Sequence, residues 1–303
     1  MAISVTVLGS NSAIPALQRH PSAQVVSIDQ TLILVDCGEA TQIQMRKYGI
    51  KFQRISHILI SHLHGDHYFG LIGLLNTMHL LGREKELTLF GPPELKEIIY
   101  LQLKVAKTRF RYPLNFQPLD FQNTGLIFEN QKFRISTVPL EHRIPCFGFV
   151  FEEVPGPGNI KKEIIEKYQP SIADLQRIKR GEDLVLANGS VVPNKDLTTP
   201  PPPPKKYAYV TDTRPTEHYL EGISGADLLY HEATFKVDSA ERAHETHHST
   251  THQAAEIAHK TGARRLLIGH FSTRYKDLQP LLDETREVFD QAELALEGET
   301  YLL

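Results

Sequence analysis

The chain has 303 residues, with 33 basic against 36 acidic side chains, a formal net charge of -3 and 41% hydrophobic residues. That balance belongs to an ordinary globular protein of one large or two ordinary domains, not to a disordered chain or a generally basic nucleic-acid coat. No apolar run reaches the length of a bilayer-spanning helix, so no membrane association is expected. Two cysteines, Cys37 and Cys146, exclude a disulfide framework, read as small buried residues and suit a reducing cytoplasm. The start, "MAISVTVLGS", begins as a strand and lacks the basic, apolar and cleavage regions of a leader. The compositional outlier is histidine, with 15 copies.

Residues 3–8, 24–28 and 32–35 read as strands separated by turns. The stretch "ILISHLHGDHYFG" then joins a strand at 57–61 to an apolar helix at 68–81 through a turn holding His62, His64, Asp66 and His67. One histidine there would be a polar surface turn. Four metal-competent side chains in six residues, at a strand end where α/β sheets collect ligands, point to a metal site. A strand at 87–90, a helix at about 93–107 and strands at 133–138 and 147–151 follow. The rhythm resumes with strands at 207–211, 228–231 and 265–269, each followed by a helix, one of them at 250–261. Two strand-rich halves predict two sheets packed face to face with helices outside.

His142 follows the strand ending at Val138, Asp212 follows "YAYVT", and His270 follows "RLLIG". Each is a metal-competent residue after a β-run, which puts all three on one rim with the histidine turn. Residues 155–206 break the pattern, opening with "PGPG", ending in "TTPPPPPKK" and carrying Lys161, Lys162, Lys167, Arg177, Lys179 and Arg180. The segment reads either as a solvated insertion with a stiff Pro-rich end or as an arm that reaches a partner.

The set His62-x-His64-x-Asp66-His67, His142, Asp212 and His270 resembles the dinuclear site of the metallo-β-lactamase superfamily. "VDCGEATQ", "YHEATF", "HHSTT" and "HFSTRY" narrow the resemblance to the short form of ribonuclease Z, the tRNA 3′-processing endonucleases, over nearly the whole chain. The resemblance implies an α/β architecture, an αββα sandwich of two packed mixed sheets with outer helices and an inserted flexible arm. It implies a single domain over 1–303, with 155–206 as the arm and tRNA exosite. It further implies two Zn2+ per subunit, with Mn2+ as the other candidate. One ion falls to His62, His64 and His142, the other to Asp66, His67 and His270, and Asp212 bridges them. The activity implied is endonucleolytic removal of the 3′ trailer from precursor tRNA by metal-hydroxide attack, leaving a 3′-hydroxyl on the tRNA. Asp66 is then the general base, His248 the acid that protonates the leaving oxygen, and Glu232 the carboxylate that orients it. A structural reading also fits "HHST", in which Ser249 or Thr250 caps the next helix. Asp36 is expected to orient the histidine turn. A homodimer in which each arm serves the partner's site is implied as well.

The chain departs from the family in two places. The loop Pro15-Ala16-Leu17-Gln18-Arg19-His20 has Leu17 and His20 where the family pattern has Lys and Asn. Ile172-Ala173 stands where family arms carry Gly-Pro. Lys104, Lys107, Arg109 and Arg111 read as either phosphate contacts or solvated helix charge. Two competing functions are a generic phosphodiesterase of the same fold and a catalytically silent, metal-stabilised nucleic-acid-binding module. The complete ligand set argues against the second.

Overall fold

The computed structural model describes residues 3–16 and 18–303; Leu17 therefore lies outside the described residues. Most of the chain forms one compact unit, and residues Asn130–Lys132 and Glu153–Pro204 form a second.

The larger unit is built on two seven-stranded sheets. In the first, Thr300–Leu302, Ile3–Gly9, Ala23–Ile28 and Thr31–Val35 pair antiparallel. Ile55–Leu59, Leu87–Gly91 and Leu114–Pro118 then extend it in parallel. In the second, Ala292–Leu294, Leu266–Gly269, Leu228–Glu232 and Lys206–Val210 are parallel. That sheet continues through Cys146–Glu153, Phe133–Leu140 and Leu126–Glu129. Parallel pairs require crossovers, which is why helices alternate with these strands.

Three apolar clusters define four layers. Val5, Val26 and Ile33 from the first sheet meet Phe149, Tyr207 and Tyr230 from the second in the central core. Outside the first sheet, Leu71, Leu74 and Met78 of helix Leu71–Leu80 and Leu95 and Ile99 of helix Glu94–Val105 cover Ile58 and Leu89. Outside the second, Ala254, Ala255 and Ala258 of helix Thr251–Lys260 cover Leu229 and Ile268. The expected αββα sandwich is what the chain forms. Thr250 caps Thr251–Lys260 in a capping box with Gln253, so the structural reading of "HHST" holds. Cys37 and Cys146 are free and buried.

Several elements lie beyond the sequence reading. The helix expected at 68–81 is a short turn, Gly65–Tyr68, followed by Leu71–Leu80. The strands Leu114–Pro118, Leu126–Glu129, Ala292–Leu294 and Thr300–Leu302 were not anticipated.

The second unit has an apolar cluster of its own, with Ile178, Leu184 and Leu197 buried and Ile164, Tyr168 and Val192 packed on them. Ser171 and Asp174 make a capping box for helix Ile172–Lys179. Two small strand pairs complete it, Asn159–Ile160 with Thr198–Thr199 and Leu184–Val185 with Val191–Val192. The Pro-rich end, 200–204, carries no secondary structure. Ile172 at the tip of its helix is 78% exposed.

Candidate metal centre

Each residue expected to hold metal lies beyond a strand's carboxyl end. Strand Ile55–Leu59 leads to His62, Phe133–Leu140 to His142, Lys206–Val210 to Asp212 and Leu266–Gly269 to His270. The short turn Gly65–Tyr68 carries Asp66 and His67. That turn lies against the Cys37-Gly38 backbone, where Gly70 N donates to Cys37 O at 2.9 Å. A Cβ on Gly70 would fall 2.1 Å from Gly38 O, and one on Gly38 2.4 Å from Asp66 O. Glycine at both positions is what permits the approach.

The outer nitrogen of each of four histidines is held by a group that can only accept. His142 Nδ1 donates to His247 O at 3.1 Å and His67 Nδ1 to Asp36 Oδ2 at 2.8 Å. Ser61 gives its one hydroxyl proton to Asp36 (2.9 Å), so its oxygen accepts from His62 Nδ1 at 3.0 Å. Thr234 likewise gives its proton to Glu232 (2.7 Å) and accepts from His270 Nδ1 at 3.0 Å. All four Nε2 atoms therefore face inward, and His64 presents Nδ1 instead. His64 Nδ1 lies 3.1 Å from both His62 Nε2 and His142 Nε2, and His67 Nε2 lies 3.3 Å from His270 Nε2. Ring nitrogens converging at that range can share a proton, and the same convergence is what a cation between them would use.

Asp212 divides its two oxygens between the two groups. Oδ2 faces His62 Nε2 (3.7 Å) and His142 Nε2 (3.8 Å), while Oδ1 faces His67 Nε2 (3.3 Å) and His270 Nε2 (3.2 Å). Asp66 joins the second group through Oδ2, 3.5 Å from His67 Nε2 and 3.4 Å from His270 Nε2, and accepts Ala13 N at 2.7 Å. The ligand atoms of His62, His64, His142 and Asp212 lie within 4.8 Å of one another, as do those of Asp66, His67 and His270. Three nitrogens with a carboxylate, and two nitrogens with a carboxylate, are donor sets that fit zinc.

The electrostatics agree with this donor set. Burial, reinforced by His67, holds the His62 imidazole well below its ordinary pKa against the pull of Asp212. Burial likewise brings His142 down to about 4 despite Asp212. Both are neutral donors at physiological pH. Burial also works to raise Asp212, but His270 and His67 outweigh it and keep the carboxylate ionised. His67 is the exception. Burial opposes its charge, yet Asp212, Asp66 and Asp36 together push it well above the usual imidazole value. Three carboxylates around one ring create the demand for positive charge that a metal would meet.

Behind the cluster, Asp36 accepts Ser61 N (2.8 Å), Ser61 Oγ (2.9 Å), His67 Nδ1 (2.8 Å) and Tyr209 OH (2.8 Å). It orients the histidine turn as expected. Glu232, fully buried, accepts Thr213 N (3.1 Å), Ser249 N (3.0 Å), Thr234 N (3.0 Å) and His248 Nδ1 (2.9 Å). His248 is thereby fixed with its Nε2 at the rim, its ring 5.3 Å from His270 and 5.2 Å from His142.

A family profile described as "Anti-Pycsar protein Apyc1" matches residues 3–154, the half holding the histidine turn and His142. A ribonuclease Z of Parabacteroides distasonis is 44% identical over 97% of each chain. The chain belongs to the ribonuclease Z family. Among solved structures, human tRNase Z, short form, superposes with a TM-score of 0.70 at 28% identity over 98% of each chain. The metallo-β-lactamase fold protein YhfI from Bacillus subtilis, at 18% identity and a TM-score of 0.71 over the whole of both chains, shares the fold. Ser61, Thr234 and Tyr209 hold positions at this centre that the sequence alone did not assign. Ser61 and Thr234 lay inside quoted motifs, whereas Tyr209 gave no signal beyond its strand.

The loop residues Arg19 and His20 are committed locally. Arg19 donates from Nε to Asn11 Oδ1 (2.9 Å) and from a terminal nitrogen to Tyr275 O (2.7 Å). His20 is tied to Glu297 through its backbone N (2.6 Å) and Nδ1 (2.7 Å). Lys104, Lys107, Arg109 and Arg111 are all exposed.

Proposed function

We propose that this protein is a metal-dependent endoribonuclease that removes the 3′ trailer of precursor tRNA and leaves a 3′-hydroxyl on the tRNA. One observation carries the reading: in a full-length relative of ribonuclease Z, Asp212 turns one oxygen to each of two histidine groups. His62, His64 and His142 would hold one ion, Asp66, His67 and His270 the other, and Asp212 both. Two Zn2+ per subunit suit these donors, and Mn2+ suits the same nitrogen and carboxylate set. When bound, paired divalent ions stabilise charge on the phosphoryl oxygens and acidify the attacking water.

The chain's own residues supply the rest. Asp66 accepts a hydrogen bond from the attacking water and orients it. His248, its proton held on the imidazole by Glu232, passes a proton to the departing 3′-oxygen. Residues 155–206 grip the tRNA backbone, and in a homodimer each arm serves the partner's site. The reducing cytoplasm, where two free buried thiols persist, is the proposed compartment; among the described residues no helix is long and apolar enough to cross a membrane.

The test is a cleavage map on precursor tRNA beside hydrolysis of bis(p-nitrophenyl) phosphate, each with and without chelator. One cut at the trailer junction, abolished by chelation and restored by zinc or manganese, is expected. Hydrolysis of the small diester with the tRNA left intact would instead assign a generic phosphodiesterase.

Two further outcomes separate support from chemistry. Asp36→Asn keeps the side-chain volume but weakens the acceptor shared by Ser61, His67 and Tyr209. Metal affinity, read by competition with a chromophoric chelator, should fall about 10–100-fold. Replacing residues 155–204 with a Gly/Ser linker should leave metal content and small-diester hydrolysis unchanged. kcat/KM on precursor tRNA should fall more than about tenfold, mostly through KM. The salt dependence should flatten by roughly 0.7–0.9 in log–log slope for each phosphate that the arm no longer neutralises. Undiminished tRNA processing would reduce the segment to a passive insertion.

A further inference from the structure

The first sheet has a second concave feature, at the end opposite the metal centre. Strands Thr31–Val35, Ile55–Leu59 and Leu87–Gly91 run parallel. Their carboxyl ends point to the metal rim, so their amino ends share the far edge. A cavity of about 300 Å³ opens there, at the small end of the roughly 300–1,000 Å³ typical of ligand sites. Gln30 lines it beside the start of the first strand, Arg54 beside the second, and Arg83, Lys85 and Glu86 just before the third.

Two arginines build its walls. Arg83 is 4% exposed. It donates from Nε to Lys85 O (2.8 Å) and from its terminal nitrogens to Gln53 O (3.3 Å) and Glu86 O (2.7 Å). Arg54 donates to Gln30 O at 3.1 Å. Three separate segments are thereby pinned around one space before any ligand arrives. The acceptors are all neutral carbonyls. Burial lowers the Arg83 pKa, and what opposes burial is the Tyr112 hydroxyl, whose ring centroid lies 5.5 Å from the guanidinium carbon. Among the described residues no carboxylate forms an ion pair with Arg54, Arg83 or Lys85. A buried cation met only by carbonyl dipoles leaves a demand for negative charge.

The lining sets three cations against one carboxylate, Glu86, and includes no aromatic ring on which a base could stack. Arg54 spends a single N–H on Gln30 and keeps the others for a ligand. An arginine fork matches the oxygens of a phosphate, and a lysine adds a point charge beside it. We propose that this cavity binds a phosphate group, held by Arg54 and Lys85 over the buried charge of Arg83. The site stands apart from the metal centre and does not depend on the ribonuclease reading. Its occupant is a free phosphate anion or a phosphate of an RNA chain, and only the second source rests on that reading.

The experiment counts the phosphate bound to zinc-loaded enzyme by equilibrium dialysis with radiolabelled orthophosphate. Phosphate also competes at the metals, so its inhibition of bis(p-nitrophenyl) phosphate hydrolysis is measured in parallel. The wild type should bind one more phosphate per subunit than inhibition accounts for. Lys85→Gln should weaken that additional phosphate about tenfold to hundredfold, the range for losing a charge-assisted hydrogen bond, with hydrolysis and its inhibition unchanged. Glu86→Gln, which removes the opposing charge, should tighten it severalfold. A titration with a short single-stranded RNA separates the two sources. If an RNA phosphate is the occupant, Lys85→Gln weakens RNA binding and flattens its salt dependence by roughly 0.7 in log–log slope; unchanged RNA binding assigns the site to the free anion. No phosphate beyond those that inhibit overturns the proposal, as does an additional phosphate indifferent to both substitutions. Because no tRNA is cut in these assays, failure of the wild type to process precursor tRNA would strike the ribonuclease reading separately.

Discussion

Asp66→Ala lowers hydrolysis of bis(p-nitrophenyl) phosphate and of precursor tRNA by the same factor, about 10²–10⁴, while the fold persists. The equality of the two factors follows from where the carboxylate sits. It faces His67 and His270 and accepts Ala13 N, so its proposed role is at the reacting centre and not in the grip on tRNA. Burial works to raise its pKa, but His67 and the hydrogen bond from His270 hold it well below the usual carboxylate range. In the proposed mechanism, a carboxylate that stays ionised orients the attacking water at every working pH. Parallel assays of both substrates, with metal content measured on the same samples, decide the matter. Near-wild-type turnover with two metals bound would sink the assignment.

His248→Ala is expected to cut kcat on precursor tRNA by about 10²–10⁴ with KM little changed, because protonating the leaving oxygen matters only in the transition state. Burial alone would lower this imidazole's pKa; the Glu232 carboxylate, 2.9 Å away, outweighs burial and raises it to about 9. The proton is therefore present through neutral pH, and activity should decline as the pH passes through about 9. The variant should lack that alkaline limb. Stability follows the same sign. A histidine whose folded pKa lies above its unfolded value of about 6.5 contributes fully below the unfolded value and loses the contribution as pH rises through the folded one. If the substitution instead raises KM at an unchanged single-turnover rate, His248 binds substrate and the acid lies elsewhere.

The centre was legible in the sequence because its members follow apolar strand runs, as His62 follows "ILIS" and His270 follows "RLLIG". The strands "LNFQP", "LIFE", "AEL" and "TYL" escaped notice because they are short and partly exposed. Helix Thr41–Lys47 begins after Ala40 in a left-handed conformation, φ 67°, with no side-chain cap, so no start signal marked it. The cluster inside residues 153–204 was hidden because Ile178, Leu184 and Leu197 are scattered among charges and prolines. Tyr209 could be placed on a strand, but its bond to Asp36 exists only once two sheets face each other across 173 positions of sequence.

The division of Asp212 between two histidine groups also sets an order of events during synthesis. Domains made on the ribosome gather structure from the amino end as the chain emerges. A nascent chain that has passed His142 displays three imidazoles of the first group but has no Asp212 to close it, and the second group waits for His270. Metal binding and folding reinforce each other only when the whole ligand set is present. Ions captured early would therefore be weakly held and exchangeable, and firm loading becomes a mark of a chain completed past the Leu266–Gly269 strand.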